Sequence, residues 1–252
     1  MINKKVLILG GTGFVGHVFE NILKSNNNVT LIGSSEDVNF KIGENVSDDL
    51  EELIIKNDLI VFASWNFKLK KNEYLSQHLN SVKELTLKCK KHNKALLFIS
   101  TALAKEKSKS IYNKTKYSCE KEILLNNQSI MRIGVINSNL DLNGNFYLKL
   151  AKLPTFLGYK IMLKPDNPKF YVDDLKMIEE FLERFSFSSS NIYKNENRPI
   201  SLSNVINLIS SKKNKFFYIN WKIPYTIILL LNNLGIKFRI NSESFLSIWG
   251  ED

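Results

Sequence analysis

The first 153 residues of this 252-residue chain contain no proline; all five prolines lie at or after Pro154. Cysteine is scarce too. Cys89 and Cys119 are too few for a disulfide framework, and no C-x-x-C pair exists to bind zinc or exchange disulfides. Both fall in helical patterns, where inert thiols are expected. Apolar runs stay far below the roughly 20 residues that span a bilayer, and no period of about 20–50 residues marks a repeat array. Disorder is excluded, because 44% of the residues are hydrophobic and can bury a core. The three histidines, His17, His78 and His92, lack metal-ligand spacing, so surface or capping roles are expected of them and no metal site.

The formal charge is +10, with 35 basic against 25 acidic residues. The lysines are dispersed rather than gathered, which argues against nucleic acid as a partner. A basic pocket for a phosphorylated small molecule fits the charge equally well. Lys4-Lys5 followed by Val6-Leu7-Ile8-Leu9 has the opening of a leader, but the apolar stretch stops at Gly10-Gly11 with no small-residue cleavage site. A buried strand accounts for it better, and a cytoplasmic protein with reduced thiols is the expectation.

Short β-branched runs alternate with helical patterns through the proline-free part. Strands are predicted at Lys5–Leu9, Asn28–Ile32, Asp58–Ala63, Ala95–Ser100 and Ser129–Ile133, and helices at Gly13–Lys24, Asp48–Lys56, Asn72–His92 and Ile111–Asn127. Ser47 before Asp48-Asp49-Leu50-Glu51 reads as a helix cap. Such alternation implies a doubly wound α/β fold with a parallel sheet covered on both faces. Beyond about residue 135 the pattern loosens. Asp173 or Asp174 is expected to cap a helix ending near Phe185, and Ser201–Ser210 and Pro224–Asn233 are further helix candidates. The apolar run Tyr225–Leu231 is expected to be core, with a partner interface as the lesser alternative.

Four of the eleven glycines fall between Gly10 and Gly16, where the first strand must hand over to a helix. In Gly10-Gly11-Thr12-Gly13-Phe14-Val15-Gly16, the first glycine allows a tight turn. Gly13 lets backbone approach a pyrophosphate, and Gly16 permits close helix–strand packing. Amides and dipole at the helix start would hold the phosphate charge.

This segment resembles the opening signature of the extended, or atypical, short-chain dehydrogenase/reductases, in particular the NAD-dependent epimerase/dehydratase branch that acts on nucleotide sugars. The resemblance continues through Asn45-Val46-Ser47-Asp48, Asp58 to Ala63, Ile99-Ser100-Thr101, Tyr112 to Glu120 and Tyr171-Val172-Asp173-Asp174. It implies a Rossmann-type dinucleotide-binding domain over residues 1–135 and a small, partly interleaved substrate lobe over 136–252. It also implies that Gly10, Thr12, Gly13, Phe14, Val15 and Gly16 hold the cofactor, with Asn45 and Val46 near adenine and Ala63 and Ser64 along it. The second strand ends at Ser34 and Ser35, with Glu36 and Asp37 late for a ribose-binding acid. Small hydroxyls there favour NADP over NAD.

The family's Tyr-x-x-x-Lys pair has three matches here: Tyr112–Lys116, Tyr117–Lys121 and Tyr218–Lys222. Nine tyrosines and 35 basic residues predict about one by chance. Only Tyr112 begins the family-like run and follows Thr101 at a strand exit. A spacing of four places both side chains on one helix face. There the lysine charge would lower the phenol's pKa, and Lys116 would also reach the nicotinamide ribose. Thr101 is expected to polarise the substrate oxygen, and Asn80 resembles a family asparagine on the preceding helix.

Ala102-Leu103 stands where family dehydratases carry Asp-Glu, which argues against water elimination. Arg132-Ile133-Gly134-Val135 resembles the segment beside the nicotinamide. Asn137-Ser138-Asn139 and Phe146–Lys152 are candidate substrate contacts, and Lys149, Lys152, Lys160 and Lys164 are candidate diphosphate ligands. The expectation is an NAD(P)-dependent oxidoreductase or epimerase acting on a nucleotide sugar in polysaccharide biosynthesis, with a possible homodimer through the third and fourth helices. Alternatives are a non-catalytic NAD(P)-binding redox sensor or assembly factor, and a reductase of a non-sugar carbonyl.

Overall fold

Leu7 and Leu9 face one side of the central sheet while Val6 and Ile8 face the other, and all four are fully buried. That double burial is why the first strand is apolar without interruption. The computed structural model describes residues 2–34, 38–140, 145, 155–156, 159–164, 169–209, 214–220 and 222–233.

The sheet is built from β1 (Lys5–Leu9), β2 (Asn28–Ile32), β3 (Leu59–Phe62), β4 (Ala95–Thr101), β5 (Ser129–Ile133) and β11 (Ile192–Lys194). Their order is β11-β5-β4-β3-β1-β2, every pairing parallel. Helices α1 (Phe14–Leu23), α2 (Asp48–Lys56), α3 (Lys71–Lys91) and α4 (Ile111–Leu125) connect the first five strands, and α5 (Leu175–Glu183) leads to β11. One face packs Leu50 and Ile54 of α2, Val82 and Leu85 of α3 and Ile123 of α4 against Phe62 and Phe98. The opposite face takes Val18 and Phe19 of α1 and Ile178 and Phe181 of α5. The predicted α/β architecture and its element boundaries agree with this within about two residues, which is the usual scatter at element ends.

The expected caps form as local polar side chains dictate. Ser47 accepts the Leu50 N–H at 3.3 Å, and Asp174, rather than Asp173, accepts the Met177 N–H at 2.8 Å. After β5 come the short β6 (Val135–Asn137), then β7 (Thr155–Phe156), β8 (Tyr159–Lys164), β9 (Lys169–Phe170) and β10 (Val172–Asp174). Next are β12 (Ile200–Ser201), α6 (Leu202–Ile209), β13 (Lys215–Asn220) and α7 (Lys222–Asn233). β10 lies parallel to β6, and β8 sits between β7 and β13. A separate small core joins Met162, Phe170, Leu202, Val205 and Ile206. The expectation that the run Tyr225–Leu231 is core fails at Ile227, which is 50% exposed on α7; the side chains of 228–233 lie outside the described residues. Among the described residues no helix is long and apolar enough to cross a membrane.

Candidate active site

Strand order reverses at β1, whose two neighbours are the strands that follow it in sequence, so a crevice opens between the carboxyl ends of β1 and β3. The glycine turn fills one side. Gly10 has φ +90°, and a Cβ there would lie 2.6 Å from the Ser64 amide nitrogen. Gly16 lets α1 press on the turn, since its Cβ would lie 2.8 Å from Gly11 Cα. Gly13 differs. It is exposed at the N-cap of α1, and a Cβ there would meet nothing nearer than Gly10 O at 3.3 Å. Internal packing thus requires the absence of side chains at Gly10 and Gly16 but not at Gly13. There the backbone is exposed at a helix N-terminus, as an approaching anion needs, with Gly10 O the one atom a side chain would crowd.

From that helix start a cavity of about 230 Å³ runs to α4. Phe14, Val15, Ala63 and Ile99 lie along it, and Ser100, Thr101, Tyr112 and Lys116 stand together in its wall. Ser110 caps α4 by accepting the Asn113 N–H, which sets Tyr112 in the first turn and Lys116 one turn on. Ile133, Gly134, Val135 and Ile136 close the far side. Buried Asp173 fixes that wall, its carboxylate accepting from the Gly134 N–H at 2.5 Å and from Asn195 Nδ2 at 2.6 Å. The Ser100 hydroxyl is buried in the cavity wall with no hydrogen-bond partner among the described residues. Such an orphan costs stability unless something satisfies it.

Lys116 does not meet Tyr112 as its spacing suggested. The residue is 4% exposed, and its ammonium donates to the Ile99 carbonyl at 2.7 Å and lies 3.9 Å from the centre of the Trp65 ring. Burial pulls the Lys116 pKa down to about 7. Tyr112 is half-buried between aromatic rings, stacked on Phe67 at 5.6 Å and edge-on to Trp65 at 5.6 Å. Its hydroxyl makes no hydrogen bond among the described residues. Burial, with Tyr74 nearby, holds the phenol well above its ordinary pKa. The expected lowering by lysine is therefore replaced by the opposite shift, because the ammonium is turned to a carbonyl.

Other expected residues scatter. Asn80 is exposed on α3 and does not line the cavity; the inward face of that helix includes Tyr74, His78, Ser81 and Val82 instead. Val46 is buried and its N–H is taken by Glu84 Oε1 at 2.8 Å, whereas Asn45, Thr12 and Ser34 are exposed. Ser35, Glu36, Asp37, Phe146–Lys152 and their Lys149 and Lys152 lie outside the described residues, as does the Lys164 side chain. Lys160 is buried in β8, and Ser138 is buried beyond β6. Arg132 does not line the cavity and pairs through two nitrogens with Glu120, at 2.9 and 2.6 Å. The rival pair Tyr117–Lys121 sits at the surface, where Lys121 bonds Glu106, and Tyr218–Lys222 runs from β13 into α7, outside the cavity wall. Both cysteines are buried, and burial pushes their thiols up to about 12, which keeps them unreactive at neutral pH.

Two residues at this site carried no sequence signal: Trp65 and His78. His78 is not a surface histidine but fully buried, its ring stacked on Trp65 at 3.9 Å. Only the position of Trp65 just past a strand's carboxyl end, where α/β folds bind ligands, pointed that way. The other two histidines bear out the surface or capping expectation: His17 pairs with Glu20, and His92 caps α3 and bonds Glu51.

No family model matches the chain, and no curated protein matches it. Solved structures do. The ADP-L-glycero-D-manno-heptose-6-epimerase of Helicobacter pylori superposes with a TM-score of 0.67 at 13% identity, over 97% of this chain and 94% of that one. The UDP-N-acetylglucosamine 4-epimerase of Methanobrevibacter ruminantium M1, bound to UDP-N-acetylmuramic acid, gives 0.65 at 17%, over 87% and 86%. A dTDP-4-dehydrorhamnose reductase of Bacillus anthracis in complex with NADP gives 0.65 at 12%, over 97% and 98%. The chain thus has the fold of the extended short-chain dehydrogenase/reductases, the fold its glycine turn pointed to. Identities this low establish architecture, and activity has to be argued from the site.

Proposed function

We propose that the protein is an NADPH-dependent reductase of a carbonyl on a nucleotide-linked sugar. The observation that carries this reading is Tyr112, which lines the cavity together with Thr101 and whose hydroxyl makes no hydrogen bond among the described residues. Carbonyl reduction needs a proton donor at the substrate oxygen; the phenol is protonated at neutral pH, and a positive charge one helical turn away at Lys116 is what would make it acidic enough to give that proton up.

The residues suit a dinucleotide. Gly13 and the first amides of α1 are open to a pyrophosphate, and the cavity between that helix start and Tyr112 is flanked by apolar side chains that suit a flat ring. When bound, the reduced nicotinamide supplies the hydride. Tyr112 gives its proton to the substrate oxygen. Thr101 Oγ1 accepts from the Leu103 N–H at 3.3 Å, which leaves its own hydrogen free to donate to that oxygen. The Lys116 ammonium, one helical turn away, stabilises the negative charge left on the phenol. Exposed Ser34 at the end of β2 supports NADP over NAD, because a hydroxyl there can bond a 2′-phosphate.

Absorbance at 340 nm tests the reading. With 4-keto nucleotide sugars the protein should consume NADPH stoichiometrically and bind NADPH at least about tenfold tighter than NADH. Interconversion of 4-hydroxy epimers with no net change in absorbance would instead make it an epimerase. Bound dinucleotide with no turnover of any carbonyl would make it a sensor.

A further inference from the structure

We propose that Trp65, backed by a histidine held neutral, is a positioning residue that keeps the Lys116 ammonium fixed and charged at depth. This rests on the reductase reading, in which that charge favours the phenolate left by proton donation.

The indole is the centre of a three-layer stack. The Lys116 ammonium lies 3.9 Å from its ring centre, and the His78 ring is stacked 3.9 Å from it at 25°. Two groups this close to one ring occupy opposite faces. Trp65 cannot swing away, because its Nε1–H donates to the Tyr74 hydroxyl at 2.7 Å. An aromatic face attracts a cation most strongly where water is excluded, and Lys116 is buried.

His78 completes the arrangement through its hydrogen bonds. Nδ1 lies 2.6 Å from the Tyr74 carbonyl and must donate to it, while Nε2 lies 3.3 Å from the Asn66 amide nitrogen and must accept from it. One donor and one acceptor define a neutral imidazole. A proton on Nε2 would break the Asn66 bond and place a second positive charge behind the indole. The other titratable groups around the ammonium are Tyr112, Cys119 and Glu120 on α4 and Tyr74 on α3. Of these, Glu120 is engaged by Arg132. β4 offers the Ile99 carbonyl and the Phe98 ring at 4.6 Å. Lys68 and Lys70 on the Trp65 loop are exposed. Glu120 favours the charge from the next turn of α4 but is shared with Arg132, and it is the indole face that the ammonium touches.

The test is a titration of Lys116 in the cofactor-free protein, following its ¹³Cε resonance with pH and assigning it with Lys116→Met. Wild type should titrate near neutrality. Trp65→Leu should titrate at least about half a pH unit lower, and Trp65→Phe, which keeps a weaker ring face, in between. An unchanged midpoint in folded Trp65→Leu overturns the proposal. Should that variant not fold, Trp65→Phe decides: a lowered midpoint supports the role and an equal one refutes it. The titration requires no turnover, so its failure leaves the reductase reading standing, and failure of NADPH oxidation leaves the positioning role standing.

Discussion

The Lys116 ammonium donates its 2.7 Å hydrogen bond to the carbonyl of Ile99 and not to the phenol of Tyr112, although both side chains share one face of α4. In the proposed reduction the phenol starts protonated, and the nearby lysine charge would stabilise what remains when that proton leaves. In that order of events Tyr112 is an acid first.

Replacing Tyr112 by phenylalanine removes the donor and keeps the ring between Trp65 and Phe67. NADPH oxidation should fall by about 10²–10⁴-fold, while NADPH affinity, read by fluorescence, changes by less than about threefold. Thr101→Val should lower the rate with a smaller loss, since one hydrogen bond to the substrate oxygen is gone and the phenol remains.

The two exposed and packed glycines of the turn should separate binding from folding. Gly13→Ala adds a methyl group that meets only Gly10 O at 3.3 Å. Its melting temperature should match wild type, with NADPH affinity lower by about tenfold. Gly16→Ala drives a methyl group into the turn's backbone, so it should lose stability and binding together.

His78 makes a prediction about acid. Burial, reinforced by the Lys116 charge, holds its pKa at about 4 against an ordinary 6.5. Between these values the unfolded chain takes up a proton that the folded chain refuses, so stability falls with pH. The contribution is complete above about pH 6.5 and is lost on the way to about pH 4, on the order of 3 kcal/mol in all. Denaturant titrations at pH 7 and pH 5 should show about 2 kcal/mol of this loss in wild type, and a shallower one in His78→Phe. Equal slopes would contradict a neutral buried imidazole.

Glu120 is buried and holds Arg132 through both carboxylate oxygens. Glu120→Ala strands a partly buried guanidinium and should cost about 2–3 kcal/mol. The denaturant midpoint should fall without a change in slope.

Much of the scaffold was legible in the sequence for a physical reason. Strands such as Leu59–Phe62 are buried on both faces and so read as unbroken apolar runs, and a glycine cluster after the first of them admits few alternatives. Tyr112, Lys116 and Thr101 were legible because a helix spacing and a strand exit converge on one cavity. The inward face of α3 was not. It buries Tyr74, His78, Ser81 and Thr86 beside Val82 and Leu85 while Leu75 and Leu87 are exposed, so the pattern conceals the phase that would have sent Asn80 outward. Trp65 lies between β3 and α3 with no periodicity, and its stacking partners come from α3 and α4, contacts that local pattern does not encode.

The most direct measurement is the structure of the protein grown with saturating NADP. The account predicts the pyrophosphate against the exposed backbone of Gly13 and the first amides of α1, and the nicotinamide in the cavity beside Thr101 and the Tyr112 hydroxyl. A dinucleotide bound elsewhere, or a nicotinamide turned away from Tyr112, would contradict it.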